Sequence, residues 1–287
     1  MSIILKRYYF LFLACGAFFV SLFLYYSLPG ANARVWALDI GQGDSFFIET
    51  PRHTQVIIDG GPSAKVLSEL SSVMPFYDKT IDLMVLTHPQ EDHIFGLVEV
   101  LKRYRVENVL MTGVGYTSAT YDEFKRLLKE KNVHVFIAQA GERVYLDEGA
   151  TIDALYPLEN LSGREFSAQD VNDTSVATLF SFGAKKFLFL GDATMKEETD
   201  LINSGENIDI DVLKLSHHGS KTSTSQLFLD KTTPELAFAS MGYKNRYGHP
   251  HKEVLDRLGA IPFYRTDTQG RIEIATDGNT VSVKTEK

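Results

Sequence analysis

With 287 residues, 44% of them hydrophobic and 23% charged, the chain has the size and composition of an ordinary globular protein, which excludes bulk disorder. Its formal charge of −8 excludes a fold coated in basic surface for gripping nucleic acid, although a local basic groove stays compatible with that sum. No internal repeat, long low-complexity tract or coiled-coil heptad is present.

The N-terminus differs from the rest. No residue from Tyr8 to Ala33 is charged, and Tyr8 to Leu28 is almost continuously apolar, about the 20 residues a membrane-crossing helix requires. Lys6 and Arg7 precede this run, which by the positive-inside rule keeps the N-terminus in the cytoplasm and sends the remainder across. Ala31-Asn32-Ala33 has the small-x-small form of a signal cleavage site. Residues 1–33 are therefore expected to anchor an extracytoplasmic domain of residues 34–287, with secretion after cleavage as the alternative. Cys15, the single cysteine, lies inside the apolar run. The domain thus has neither disulfides nor thiolates, and any metal must be held by nitrogen and oxygen.

Past the Leu28-Pro29-Gly30 break, Val35–Ile40, Ser45–Glu49 and Gln55–Asp59 read as short strands of an antiparallel meander. Ala64–Val73 reads as a helix and Asp82–Thr87 as a buried strand. Ile94–Tyr104 is expected to be helical, with Leu97, Val98 and Leu101 at core-facing spacing. Asn108–Met111 is a strand, Tyr121–Lys131 a helix and Val133–Ile137 a strand. The second half repeats the style. Strands are expected at Ile152–Tyr156, Ser175–Phe182, Lys186–Leu190, Val212–Ser216, Leu236–Ala239, Arg271–Ala275 and Val281–Val283, and helices at Met195–Ile202, Gln226–Leu229 and Lys252–Leu258. Two similar halves without a linker suggest two sheets packed on each other with helices outside, in one domain.

Ligand-type residues gather at strand ends. His88 follows the apolar strand ending at Thr87, and Asp92 and His93 come four and five residues later. A helix cap would explain Asp92 alone but not two flanking histidines. Asp192 follows Phe187-Leu188-Phe189-Leu190-Gly191, where a bare Gly-Asp is otherwise an ordinary turn. His217-His218 follows Val212–Ser216, and Asp59 ends Val56-Ile57-Ile58. Asp92, His93, Asp192 and one of the paired histidines make a four-ligand nitrogen and oxygen set suited to zinc, manganese or iron.

These residues resemble the metallo-β-lactamase superfamily, whose signature is HxHxDH followed by a distant His, Asp and His. More closely, the chain is similar to the C-terminal hydrolase domain of the competence DNA-uptake proteins of the ComEC type. The matching stretches are Leu38 to Ser45, Ile58 to Pro62, Thr87 to Leu97, Asn172 to Ser175, Gly191 to Ala193, Leu213 to Ser220, Asn245 to Pro250, and Arg265 to Asp267 with Gly270.

The resemblance implies an α/β fold, an αββα sandwich with the metal site at one edge of the two sheets. It implies His88, Asp92, His93, Asp192 and His218 as ligands of a divalent ion, zinc or manganese, with Asp192 bridging and Asp59 supporting the site from behind. His218 is preferred to His217 because the last ligand of the superfamily commonly stands directly before glycine. His217 then becomes a candidate for contacting substrate or moving a proton. Gln90 occupies the second histidine position, and Asn172-Asp173-Thr174-Ser175 stands where a middle histidine would be. With only Gln90, Asn172 and Ser175 as weak helpers, one ion is expected to bind firmly and the second to be weak, substrate-assisted or missing. Phe95, in place of a family glycine, is expected to narrow the approach to the site.

The implied activity is metal-assisted hydrolysis of a phosphodiester, most naturally in DNA and linked to DNA uptake. Asp92 or His217 would manage the proton and His249 is a third catalytic candidate. Asn245, Arg246 and His251, extended by Lys214, Lys221 and Lys244, would meet phosphate. Two other readings compete: a lactam or thioester hydrolase of the same fold, and a degenerate non-catalytic module that holds DNA or a partner protein.

Overall fold

The computed structural model describes residues 8–18, 21 and 30–287, of which 8–18 are helical with exposed side chains. Among the described residues no helix is long and apolar enough to cross a membrane. Of the expected anchor, Tyr8 to Leu28, residues 19, 20 and 22–28 lie outside the described residues, as does its Lys6-Arg7 flank.

The first sheet has eight strands in the order β15-β14-β1-β2-β3-β4-β5-β6. They are β1 (Ala33–Ala37), β2 (Phe46–Glu49), β3 (Gln55–Ile58), β4 (Thr80–Leu86), β5 (Arg105–Met111), β6 (His134–Ile137), β14 (Ile272–Thr276) and β15 (Val281–Thr285). The second has seven, in the order β13-β12-β11-β10-β9-β8-β7. They are β7 (Arg143–Asp147), β8 (Ala150–Tyr156), β9 (Ala177–Phe182), β10 (Lys185–Phe189), β11 (Val212–Lys214), β12 (Leu236–Ala239) and β13 (Phe263–Arg265). The expected meander is present as antiparallel β1-β2-β3, after which β3, β4, β5 and β6 run parallel.

Alternation along each strand sends one set of side chains between the sheets and the other toward helices. Phe46, Ile48, Val56, Ile58, Phe187, Phe189 and Phe238 fill the space between the sheets. There the Phe46 ring centre lies 5.3 Å from Phe189 and 5.5 Å from Phe238. On the outer side of the first sheet pack α1 (Lys65–Val73), α2 (Glu91–Arg103) and α3 (Ala119–Glu130), burying Leu70, Leu97, Leu101 and Phe124. On the second lie α4 (Met195–Ser204), α5 (Gln226–Thr232) and α6 (Lys252–Leu258), burying Leu201, Phe228 and Val254. This is the αββα layering expected from the sequence.

Several boundaries differ from expectation for identifiable reasons. Helix α2 starts at Glu91 rather than Ile94, with Gln90 extended as its N-cap and the acidic pair Glu91 and Asp92 in its first turn, where the helix dipole favours them. Strand β7 was not expected; it is an edge strand with no fully buried residue, and its apolar alternation is limited to Val144 and Leu146, which pack partly against the core. Strand β11 stops at Lys214 because Ser216–Gly219 turns sharply, and β9 begins only after a turn at Val171–Thr174. Strand β13 and the short α7 (Thr266–Gln269) were also missed.

The polarity of the strands positions the site. Strands β3 and β4 run parallel and lead at their C-terminal ends into Asp59 and His88, while β10, β11 and β12 run parallel and lead into Asp192, His218 and Ser240. β1 points the same way, since Gly41 and Gln42 beyond it line the same cleft. The C-terminal edges of parallel strands are where open α/β sheets place their ligands.

Candidate metal centre

The first group of donors is fixed by α2. Its opening turn places Asp92 and His93 beside His88, with the His88 and His93 rings 4.1 Å apart. Glycines make this seating possible. Gly60 N–H donates to His93 O at 2.7 Å and Gly96 N–H to Gly61 O at 2.9 Å, so helix and strand-end loop touch through backbone. A Cβ on Gly96 would lie 1.8 Å from Gly60 O. No side chain fits there.

The second group comes from the other sheet. Asp192 follows Gly191, and His218 sits in a turn where both His217 and His218 adopt left-handed backbone, with φ of 48° and 54°. Each such non-glycine residue costs about 1–3 kcal/mol and persists only where surrounding structure holds it. Here His217 N–H donates to Gly191 O at 3.1 Å, tying the two strand-end loops together.

Among the described residues the donors meet in four overlapping triplets, two of which include Asp44 (with Asp192 and His218, and with Asp59 and His93) and two of which do not. In the latter two, His88, His93 and Asp192 each offer an atom within 4.8 Å of the others, and so do Asp92, His93 and His218. His93 belongs to both. His93 Nε2, His218 Nε2 and Asp192 Oδ1 are buried without a hydrogen-bond partner. Buried polar atoms are rarely left so, and three converging from two sheets fit a cation that would satisfy them. His93 Nε2 is 3.4 Å from Asp192 Oδ1, and His218 Nε2 is 3.6 Å from Asp192 Oδ2 and 3.7 Å from Asp92 Oδ2.

Behind these donors lies a supporting layer. His93 Nδ1 donates to Asp59 Oδ2 at 2.7 Å, which turns Nε2 toward the cluster. Asp59 also accepts from Thr87 N at 2.9 Å and Thr87 Oγ1 at 2.6 Å. His218 Nδ1 lies 3.0 Å from Ser240 O and 3.2 Å from Asp44 Oδ1. Asp44 in turn is ion-paired with Lys214. Because Lys214 and the back of His218 engage its carboxylate, Asp44 supports the cluster rather than facing it.

Electrostatics follow this layering. Burial pushes Asp59 above its ordinary value despite His93. Burial also pulls His93 down, but the carboxylates of Asp192 and Asp59 outweigh it and hold the imidazole well above its usual range. His218 is raised to about 10: burial opposes, and Asp192 and Asp44 win. Asp192 falls well below the carboxylate range and Asp92 is also lowered, both held down against burial by surrounding imidazoles. His88 is different: burial, reinforced by His93, lowers it to about 3, leaving a neutral ring.

The remaining expected residues are placed as follows. Gln90 Oε1 lies 3.4 Å from His88 Nε2. Ser175 Oγ accepts from Asp192 N at 3.1 Å and sits 3.4 Å from His88 Nδ1, so it braces both donors from behind. Asn172 lines the cleft, and its Oδ1 has no partner. His217 stands beside the cluster with Nε2 3.7 Å from Asp192 Oδ2 but joins none of the triplets. His249 closes the wall, its ring 6.2 Å from His218 and 5.9 Å from His217. Burial, then the neighbouring His218, lowers it to about 4.

Two expectations fail. Lys214 does not extend a phosphate-facing patch; it is fully buried, donating to Gly191 O at 2.8 Å. Phe95 does not narrow the approach; it is exposed on α2 and absent from the cleft lining. Asp44 and Ser240 were not singled out. The signal for Asp44 and Lys214 was a carboxylate straight after a glycine turn and a lone lysine inside Val212-Leu213-Lys214-Leu215.

The cluster forms the floor of a cleft of about 850 Å³, walled by Gln42, Gln90, Asn172, His217, Tyr247 and His249 among others. Residues 38–243 match the model of the metallo-beta-lactamase superfamily. The chain belongs to this superfamily.

Among superfamily relatives, it is 30% identical to ComE operon protein 3 of Bacillus subtilis, over 91% of this chain and 35% of that protein. It is also 30% identical to competence protein ComA of Neisseria gonorrhoeae, over 86% of this chain and 33% of that one. Recombination protein 2 of Haemophilus influenzae is 28% identical, over 83% and 28%. The chain thus spans about a third of the length of these relatives. In fold it is similar to the metallo-β-lactamase fold protein YhfI of Bacillus subtilis, with a TM-score of 0.54 and 13% identity, covering 88% of this chain and 100% of that one. It is also similar to CmlA, a diiron β-hydroxylase from Streptomyces venezuelae, with a TM-score of 0.51 and 15% identity over 81% and 52%. The superfamily match and the donor triplets make this a metallo-β-lactamase-fold, metal-dependent hydrolase.

Proposed function

We propose that the chain hydrolyses phosphodiester bonds in DNA, in a process of the kind named by its competence and recombination relatives. The observation that carries this reading is the meeting of Asp92, His93, Asp192 and His218 on the floor of a cleft whose outer wall bears Arg246. A phosphodiester is an anion, and in a chain of net charge −8 such a site must gather its positive charge locally.

His93, His218, Asp92 and Asp192 would hold one divalent ion, zinc or manganese, with His88 as a further donor. The ion would supply Lewis acidity, making water nucleophilic near neutral pH and offsetting charge on the attacked phosphate. The protein's own groups do the rest. Asp59, Asp44 and Ser240 orient the imidazoles. His217 borders the cleft, and burial lowers its pKa, so its ring is neutral near pH 7 and able to accept a proton. Asp92 is the other carrier for that proton, but the imidazoles that, against burial, hold its carboxylate below the usual range make it the weaker base. A second ion would bind weakly, because Gln90 brings a neutral amide where a carboxylate or imidazole would complete the His88 side.

Gln90 also favours a second reading, a non-catalytic module that holds DNA or a partner protein. Metal analysis of the purified protein, followed by assays with bis-nitrophenyl phosphate and DNA under each divalent ion, separates the two. A protein that binds zinc or manganese yet leaves both substrates uncleaved would sink the hydrolase reading. Nitrocefin and thioesters, run alongside, test lactam and thioester hydrolysis.

A further inference from the structure

The outer wall of the cleft is the segment from Gly242 to His249, and its construction is unlike that of an idle surface loop. Asn245 pins it: Nδ2 donates to Gly242 O at 3.2 Å and to His249 O at 2.7 Å, while Oδ1 accepts from His249 N at 2.9 Å. The pinned loop holds two tyrosines out of the fold, Tyr243 at 70% exposure and Tyr247 at 47%. Single exposed aromatics are ordinary. These two line the cleft that ends at the donor cluster.

Their arrangement is ordered. From His218 in the cluster, the His249 ring lies 6.2 Å away at an interplanar angle of 30°, and Tyr247 follows at 5.6 Å and 22°. Three rings in near-parallel succession therefore run from the floor of the cleft to its rim. Each tyrosine also carries a cation: the Arg246 guanidinium is 5.0 Å from the Tyr247 ring centre, and Lys244 Nζ is 5.3 Å from that of Tyr243. Arg246 Nη2 donates to Tyr247 Oη at 2.8 Å, and among the described residues neither cation, nor Lys221, is ion-paired with a carboxylate.

Exposed rings interleaved with unpaired cations along a groove are the means by which proteins hold unpaired nucleotides, bases stacking on rings and phosphates meeting the cations. We propose that Tyr243 and Tyr247 form a base-stacking subsite for single-stranded polynucleotide, with Arg246 and Lys244 receiving the flanking phosphates. This rests on the phosphodiesterase reading above. A duplex keeps its base faces stacked on one another and offers none to Tyr247, so the subsite selects unpaired strands or frayed ends.

The test is equilibrium binding of the full chain to a fluorescein-labelled oligothymidine, followed by anisotropy in EDTA so that no cleavage intervenes, with a duplex of equal length beside it. Tyr247→Ala and Tyr243→Ala are each expected to weaken binding of the single strand by about 5- to 100-fold, with little change for the duplex. Tyr247→Phe, which keeps the ring, should restore binding to within about twofold of the parent. Unchanged single-strand binding in both alanine variants, an equal loss for duplex, or no binding of the single strand by the parent chain would each overturn the subsite. Hydrolysis of bis-nitrophenyl phosphate by the parent chain reports on the phosphodiesterase reading separately, because it scores bond cleavage at the donor cluster whereas the anisotropy scores strand binding alone.

Discussion

Lys214 and Asp44 form an ion pair with no exposure to water, and the same Lys214 Nζ stands 4.0 Å from Asp192. One ammonium thus faces both a donor of the cluster and the carboxylate that backs His218. Burial raises Asp44, but Lys214 and His218 outweigh it and keep the group below its ordinary value.

Replacing Lys214 with Met would leave Asp44 buried without its main counter-charge. Loss of one member of a buried pair costs about 3–5 kcal/mol, so Lys214→Met is expected to lower the urea midpoint substantially. Adding Asp44→Asn should return most of the loss. A double variant no more stable than Lys214→Met would mean that the pair is not what the lysine serves.

Asp59→Asn keeps the shape of the side chain but removes the charge that receives His93 Nδ1–H and two hydrogen bonds from Thr87. Loss of such a partner typically weakens metal binding by about 10- to 100-fold. Competition with a chromophoric chelator measures it, and circular dichroism shows whether the fold survives. Parent-like affinity in a folded variant would remove Asp59 from the supporting layer.

The ion-free protein should lose stability toward alkaline pH. His218 is raised from 6.5 to about 10 in the fold, so its contribution is complete below the unfolded value of 6.5 and is lost as pH rises through about 10. His93 acts in the same direction. Melting temperatures of chelator-treated protein are therefore expected to fall between pH 7 and 10. Because a coordinating imidazole must be unprotonated, metal binding at pH 7 should release protons, seen calorimetrically as a dependence on buffer ionisation enthalpy. A heat independent of the buffer would contradict this.

Gln90 sets the expected stoichiometry. The parent protein should retain one ion per chain after gel filtration, whereas Gln90→Asp or Gln90→His supplies a charged or imidazole donor beside His88 Nε2 and should raise the count toward two. Elemental analysis decides. Two ions in the parent protein would show that the amide does not prevent a second site.

What the sequence revealed and what it hid have physical causes. His88, Asp92, His93, Asp192 and His218 were readable because each follows an apolar strand whose periodicity announces where it ends. Asp59 was visible for the same reason. The strained turn at His217 and His218 was not, since backbone in the left-handed region leaves no mark in residue type unless glycine occupies it. Lys214 was misplaced because a lysine ordinarily means surface, and only the three-dimensional position of Asp44 explains its burial. Phe95 was read by its alignment with a family glycine; it stands one turn beyond Glu91 and Asp92 on α2, and the helical rise leaves it outside the cleft lining. Edge strand β7 offered only Val144 and Leu146 as an alternation, too short a pattern to stand out from a loop.

The shared direction of β1, β3, β4, β10, β11 and β12 has a consequence for where the chain enters the domain. The cleft opens where these strands end, and Ala33 is where β1 begins, about five residues or roughly 15 Å of strand back from that edge. The chain therefore enters this strand at the end remote from the cleft, and the edge that carries the donors is left clear of that point of entry.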